Sequence, residues 1–130
     1  MLNLTENKPG NHHVIRSVEP DRVMVDDQEL TSSLIVGARL LDAEWPVDSL
    51  EDLNEGTLEA VFALEPELVV LGAGTRSHFP SPAIQRLFFQ RGIGLEPMTL
   101  VAAARTFNVL MSENRRALAA LILPATTPSP

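Results

Sequence analysis

The stretch Leu71-Gly72-Ala73-Gly74-Thr75-Arg76-Ser77 holds the residue types most able to do chemistry. It follows an apolar run and precedes a helix start at Ser81-Pro82, so it reads as the loop at the carboxyl end of a strand. Open α/β sheets hold their ligands there. Gly72 and Gly74 let backbone N–H groups approach an anion, Thr75 adds a hydroxyl, and Arg76 adds positive charge. Ser77 stands where a dinucleotide fingerprint has its third glycine, and no Lys-Ser/Thr pair completes a P-loop. The simpler reading of the two glycines is a tight turn with unusual φ angles.

A second set lies on one edge of a helix. Arg105, Asn108 and Ser112 recur at i, i+3 and i+7 beside an apolar stripe. They form either a ligand or partner edge or a structural one, with Arg105 paired to an acid and Asn108 tying down a loop. The remaining candidates are poor. Ser77 and His78 are sequence neighbours without a nucleophile elbow, and His12 and His13 diverge to opposite faces of a strand. Glu51, Asp52, Glu55 and Glu59 read as a solvated acidic surface. No catalytic residue, metal site or cofactor is assigned, and the residues lean away from an enzyme.

These candidates need elements to position them. Leu68–Leu71 reads as a strand and Ile93–Glu96 as its parallel neighbour across a compact strand–helix–strand unit. The intervening helix has Ser81 as cap, Pro82 in first position, Gly92 at its end, and Ile84, Leu87 and Phe88 as its buried stripe. Phe89 falls off that stripe. From Leu100 to about Glu113, Leu100, Ala103, Ala104, Phe107, Leu110 and Met111 make one apolar face, capped by Thr99 and ended by Asn114. Ala117–Leu123 is the last strand, expected in the same sheet.

The first half reads as a small β meander, with strands at His12–Val18, Arg22–Val25, Thr31–Val36 and Arg39–Leu41. Trp45, held extended by Pro46, should cover the edge of the core. A short turn at Leu50–Leu53 is followed by a helix that Thr57 is expected to cap, because Gly56 interrupts anything longer. The expected architecture is a three-layer α/β domain spanning residues 11–124, with helices on the faces of a central mixed sheet of about five strands. Residues 1–10 are expected to be a loose arm and 125–130 a disordered tail.

At 130 residues, 45 % of them hydrophobic, the chain suits one domain. Without cysteine it has no disulfide, zinc-thiolate or thiol chemistry. A formal charge of -7 argues against nucleic acid, and no apolar run could span a bilayer. The N-terminus has no targeting pattern, so a cytoplasmic protein is expected.

The third helix carries a further signal. Met98, Ala102-Ala103, Arg105-Thr106-Phe107-Asn108, Leu110, Glu113 and Arg115-Arg116 resemble the signature of a small α/β family. That family includes the mitochondrial respiratory complex I (NADH:ubiquinone oxidoreductase) assembly factor 3. Gly72-Ala73-Gly74 and Gly92-Ile93-Gly94-Leu95-Glu96 fit the same pattern. The family often has Thr in place of Ala73, an acid in place of Thr99 and Gly in place of Asn114. The resemblance implies a three-layer fold around a mixed sheet, no established enzymatic activity, and protein–protein work during respiratory complex assembly. Two functions therefore compete. One is a non-enzymatic interaction domain whose partners, by resemblance, are respiratory complex subunits or assembly factors. The other is a small-ligand or anion-binding domain using Gly72, Gly74, Thr75 and Arg76, with Arg105 as a second charge.

Overall fold

The computed structural model describes residues 12–75 and 78–124. Both expected terminal segments, together with Arg76 and Ser77, lie outside the described residues.

Three strands, β6 (Leu68–Ala73), β7 (Gly94–Met98) and β8 (Ala117–Ile122), run parallel in the middle of the fold. β6 pairs with β7 on one side and with β8 on the other. Two short antiparallel strands, β4 (Leu34–Val36) and β5 (Leu41–Asp42), extend the sheet beyond β8 to the order β5-β4-β8-β6-β7. The sheet is mixed and five-stranded.

Its two crossovers run in opposite directions. α2 (Pro82–Gln90) carries the chain from β6 outward to β7, whereas α3 (Leu100–Ser112) carries it back across β6 to β8. Both connections keep the favoured right hand only if the helices take opposite faces. They do. α3 packs with Val70, Ala117, Ala119 and Leu121, while α2 packs with the alternate residues Val69, Leu71, Leu118 and Ala120.

Beside α3 lies a separate sheet of β1 (Ile15–Glu19), β2 (Arg22–Val25) and β3 (Gln28–Leu30), which buries Ile15, Val23, Val25 and Leu30 in the same core. α1 (Glu55–Phe62) shares the opposite layer with α2. The result is a three-layer α/β domain.

The expected single meander is thus two structures. Leu34, Ile35 and Val36 are all buried, as suits a strand covered on both faces, and they pair with β8 rather than with the meander. Gln28–Leu30 forms the third meander strand, across the two-residue Asp26-Asp27 turn.

α1 also begins earlier than Thr57. Asn54 is its cap, accepting the Thr57 N–H through its side chain at 2.9 Å, while Thr57 Oγ1 accepts the Asn54 N–H at 2.9 Å. This reciprocal box fixes the first turn, and Gly56 is tolerated within it. Trp45 is buried in the α1/α2 core instead of covering an edge, and its Nε1–H donates to the Thr57 carbonyl at 2.8 Å.

The caps at Ser81 and Thr99 form as expected, and Gly92 and Asn114 take positive φ at the helix ends. All six stripe residues of α3 are buried. Arg115 pairs with Glu67 at 2.9 Å across the strand starts, and its guanidinium holds that carboxyl below its ordinary value.

Candidate functional site

The connection after β6 leads to one face of the sheet and the connection after β7 leads to the other. A crevice opens outside the carboxyl ends of two such strands, where the backbone diverges. The structure has one there, a cleft of about 1120 Å³. Ala73, Ile84, Leu100 and Ile122 line it from the sheet and helix starts, Leu50 and Leu53 from the turn before α1, and Val18 from the meander. Such a volume holds a drug-sized molecule or several side chains of a partner.

The glycines divide between two jobs. Gly72 is buried under α3, where an added Cβ would stand 2.6 Å from Ala103 Cβ and 3.3 Å from Leu100 Cα. Its task is to let the helix sit close to the sheet. Gly74, with φ 64°, makes the left-handed turn, and Thr75 follows it at the cleft.

The helix starts have few backbone N–H groups left to offer an anion. The Gly74 carbonyl accepts the Leu100 N–H at 3.0 Å, and Thr99 Oγ1 accepts the Ala102 N–H at 3.1 Å. In α2, Pro82 has no N–H, and Ser81 takes those of Ile84 and Gln85. The first turns of α2 and α3 keep at most the Ala83 and Val101 N–H groups for an incoming anion.

Arg105 is exposed on α3, one turn beyond Val101, and is not among the residues lining the cleft. No acidic group among the described residues stands within ion-pair distance of it. Asn108 is half-buried and fully engaged. Its Oδ1 accepts the Ile15 N–H at 3.0 Å and its Nδ2 donates to the Ile15 carbonyl at 2.9 Å, which pins β1 to α3. Ser112 Oγ donates to the Val109 carbonyl at 2.7 Å.

The cleft also gathers residues that the sequence pattern did not single out as site residues. Glu19, Asp48 and Glu51 line it, and His78 is its one described basic side chain. The apolar signal was read at Phe89, which falls off the stripe of α2 as expected, and missed at Val101, Val109 and Phe79. Val101 and Val109 lie off the buried stripe of α3 and are 48 % and 53 % exposed. Phe79 and Phe89, 70 % and 83 % exposed, flank a second, smaller groove between α2 and the edge strand β7. Among the described residues no cluster of three or more His, Asp or Glu side chains forms a metal site, and no helix is long and apolar enough to cross a membrane.

The core strands and all of α3 fall within the stretch matched by one family profile, residues 15–122, described as a protein of unknown function. The chain belongs to the DUF498/DUF598 family. Its DUF498/DUF598 relatives include bovine (Bos taurus) NADH dehydrogenase [ubiquinone] 1 alpha subcomplex assembly factor 3. That protein is 40 % identical over 83 residues, covering 62 % of this chain and 45 % of the relative. The mouse (Mus musculus) protein of the same name is 31 % identical over 122 residues, covering 85 % of this chain and 66 % of the relative. The chain thus spans about half to two thirds of the length of these curated relatives. An NMR structure from Xanthomonas campestris matches 99 % of this chain and 98 % of its own, with TM-score 0.83 and 38 % identity.

Proposed function

We propose that this chain is a protein-interaction domain that works in the assembly of respiratory complex I, with complex subunits or other assembly factors as partners. The observation that carries the reading is the 40 % identity to a protein named for that task, over a stretch of 83 residues. The surface supports it. Phe79, Phe89, Val101 and Val109 are large apolar side chains left open to solvent on α3, α2 and the loop before α2. Val101 and Val109 share the outer side of α3 and are the apolar surface that this reading uses for docking, while Phe79 and Phe89 border the separate groove between α2 and β7. Arg105 lies between the two exposed valines, one turn from each, and has no acidic partner of its own among the described residues. Arginine in such a setting is well suited to anchor a partner. The cytoplasm, expected from the sequence, is the compartment in which this reading places the encounter.

The test is affinity capture of the tagged chain at native abundance, with partners quantified by mass spectrometry. Complex I subunits or assembly factors should be enriched over a tag-only control and depleted by Arg105→Glu. Capture that returns none of them above the control overturns the assembly reading.

A further inference from the structure

We propose that two copies of this chain pair through the free edge of β7, antiparallel about Leu95, with Phe89 of each copy lying against Phe79 and Pro97 of the other. This surface is separate from α3 and independent of the assembly reading.

The backbone of β7 sets the register. β7 closes the sheet on one side, so one row of its peptide groups has no neighbouring strand. The Gly94 N–H donates to the Glu67 carbonyl at 3.0 Å, which turns Gly94, Glu96 and Met98 towards β6. Leu95 and Pro97 therefore face outward, because alternate residues of a parallel strand bond to opposite sides. Pro97 has no N–H, and the N–H of Ile93 is already held by the Phe88 carbonyl at 3.0 Å. Leu95 is left as the one outward donor of the strand. A second β7 set antiparallel, Leu95 opposite Leu95, exchanges two hydrogen bonds and brings no N–H that lacks an acceptor. Ile93 then stands opposite Pro97, and Glu96, the one charged residue of β7, stands opposite Gly94. No like charges meet directly across the pair.

The side chains repeat that symmetry. The groove beside the edge is lined by Ile93, Gly94, Leu95 and Pro97, a set centred on Leu95. α2 runs back along it, so Phe89 stands at the Ile93 end and Phe79, before the helix, at the Pro97 end. A two-fold axis at Leu95 exchanges the two ends and lays each Phe89 on the other copy's Phe79, a self-complementary contact that closes at two copies. Arg86, between them on α2, has a stem long enough to cover a ring, as Arg91 covers Phe62 at 4.2 Å.

The area is sufficient. At 70 % and 83 % exposure, the Phe79 and Phe89 rings of one copy offer about 300 Å². Four rings and the surfaces they cover bury about 1,200 Å², the lower end of the range for stable interfaces. A dissociation constant of about 10 µM is expected.

The experiment is sedimentation equilibrium of the full chain from about 1 µM to 1 mM, joined to amide hydrogen exchange by NMR. The mass should rise from one chain to two across that range, with no larger species, and exchange at Leu95 should slow as the dimer forms. Phe89→Lys, at an exposed position near a helix end that favours a cation, should raise the dissociation constant at least about thirtyfold. It also lowers the net charge of -7, so added repulsion between copies cannot explain the loss. Phe79→Ala should weaken the dimer as well, while both variants keep the parent's melting temperature and Arg105→Glu leaves the dimer intact. A chain that stays monomeric to 1 mM overturns the proposal. So does a dimer that survives Phe89→Lys, one that Arg105→Glu breaks, or one in which exchange at Leu95 is unchanged.

Discussion

Adding one methyl group at Gly72 asks how closely α3 is seated on the sheet. The new Cβ would stand 2.6 Å from Ala103 Cβ, 3.1 Å from Leu121 Cδ2 and 3.3 Å from Leu100 Cα. Carbon atoms rest at about 3.5–4.0 Å, so the helix must move away by about 1 Å at this point. The nearest atom is a methyl fixed to the helix backbone and cannot swing aside. Overpacking of this kind costs about 1–3 kcal/mol. The lower chain entropy of alanine in the unfolded state returns about 0.4–1 kcal/mol of it. A net loss of about 1–2 kcal/mol remains, a sizeable part of a domain stability of about 5–15 kcal/mol. Urea melts followed by far-UV circular dichroism should show the Gly72→Ala midpoint falling with little change in slope. Ala103→Gly removes the offending methyl, although glycine within a helix costs about 1 kcal/mol by itself. The double variant should therefore be more stable than the two separate losses together would make it, by at least about 0.5 kcal/mol. Strict additivity, or a Gly72→Ala protein as stable as the parent, would refute the close seating of α3.

Two further predictions follow from named bonds. Asn108→Ala leaves the Ile15 N–H and carbonyl without their partners and should cost about 1–3 kcal/mol in a denaturant melt, whereas Arg105→Ala on the open face of α3 should melt within about 0.5 kcal/mol of the parent. At Asp26, burial opposes ionisation, but His13 Nδ1 at 2.6 Å and the Val14 N–H at 3.0 Å outweigh it and hold the carboxyl below its ordinary value. The unfolded chain then binds more protons in that interval. The contribution is fully present above the ordinary carboxylate range and is lost as pH falls through the depressed value. Asp26→Asn should flatten the acid side of a plot of urea midpoint against pH, and an unchanged acid limb would contradict the assignment.

What the sequence made legible was local. Ser81-Pro82, Gly92, Thr99 and Asn114 announce helix ends because a cap is satisfied within a few residues of itself. The six-residue stripe of α3 is likewise a property of one helix. Asn54 escaped notice because its box closes with Thr57 in place of the usual Glu or Gln, and because Gly56 looks like a breaker. The division of the first half into two sheets depends on Leu34–Val36 choosing β8, a partner more than eighty residues away in sequence. The unbroken apolar run was the available hint. For the site, the loop after β6 was correctly placed at a carboxyl end, and Gly74 and Thr75 do line the cleft. Gly72 instead seats a helix and Asn108 secures a strand. The acidic part of the lining, with Asp48 and Glu51, comes from a segment more than twenty residues earlier, where Glu51 read as plain surface.

The claim that matters most is that this DUF498/DUF598 chain serves complex I assembly, and loss of the protein from its own cells tests it directly. Membranes from a deletion strain, resolved by native gel electrophoresis and stained for NADH oxidation, should contain less mature complex I and more of its subcomplexes. The parent chain should restore the mature band and Arg105→Glu should not. Mature complex I at the level of the undeleted strain would contradict the account.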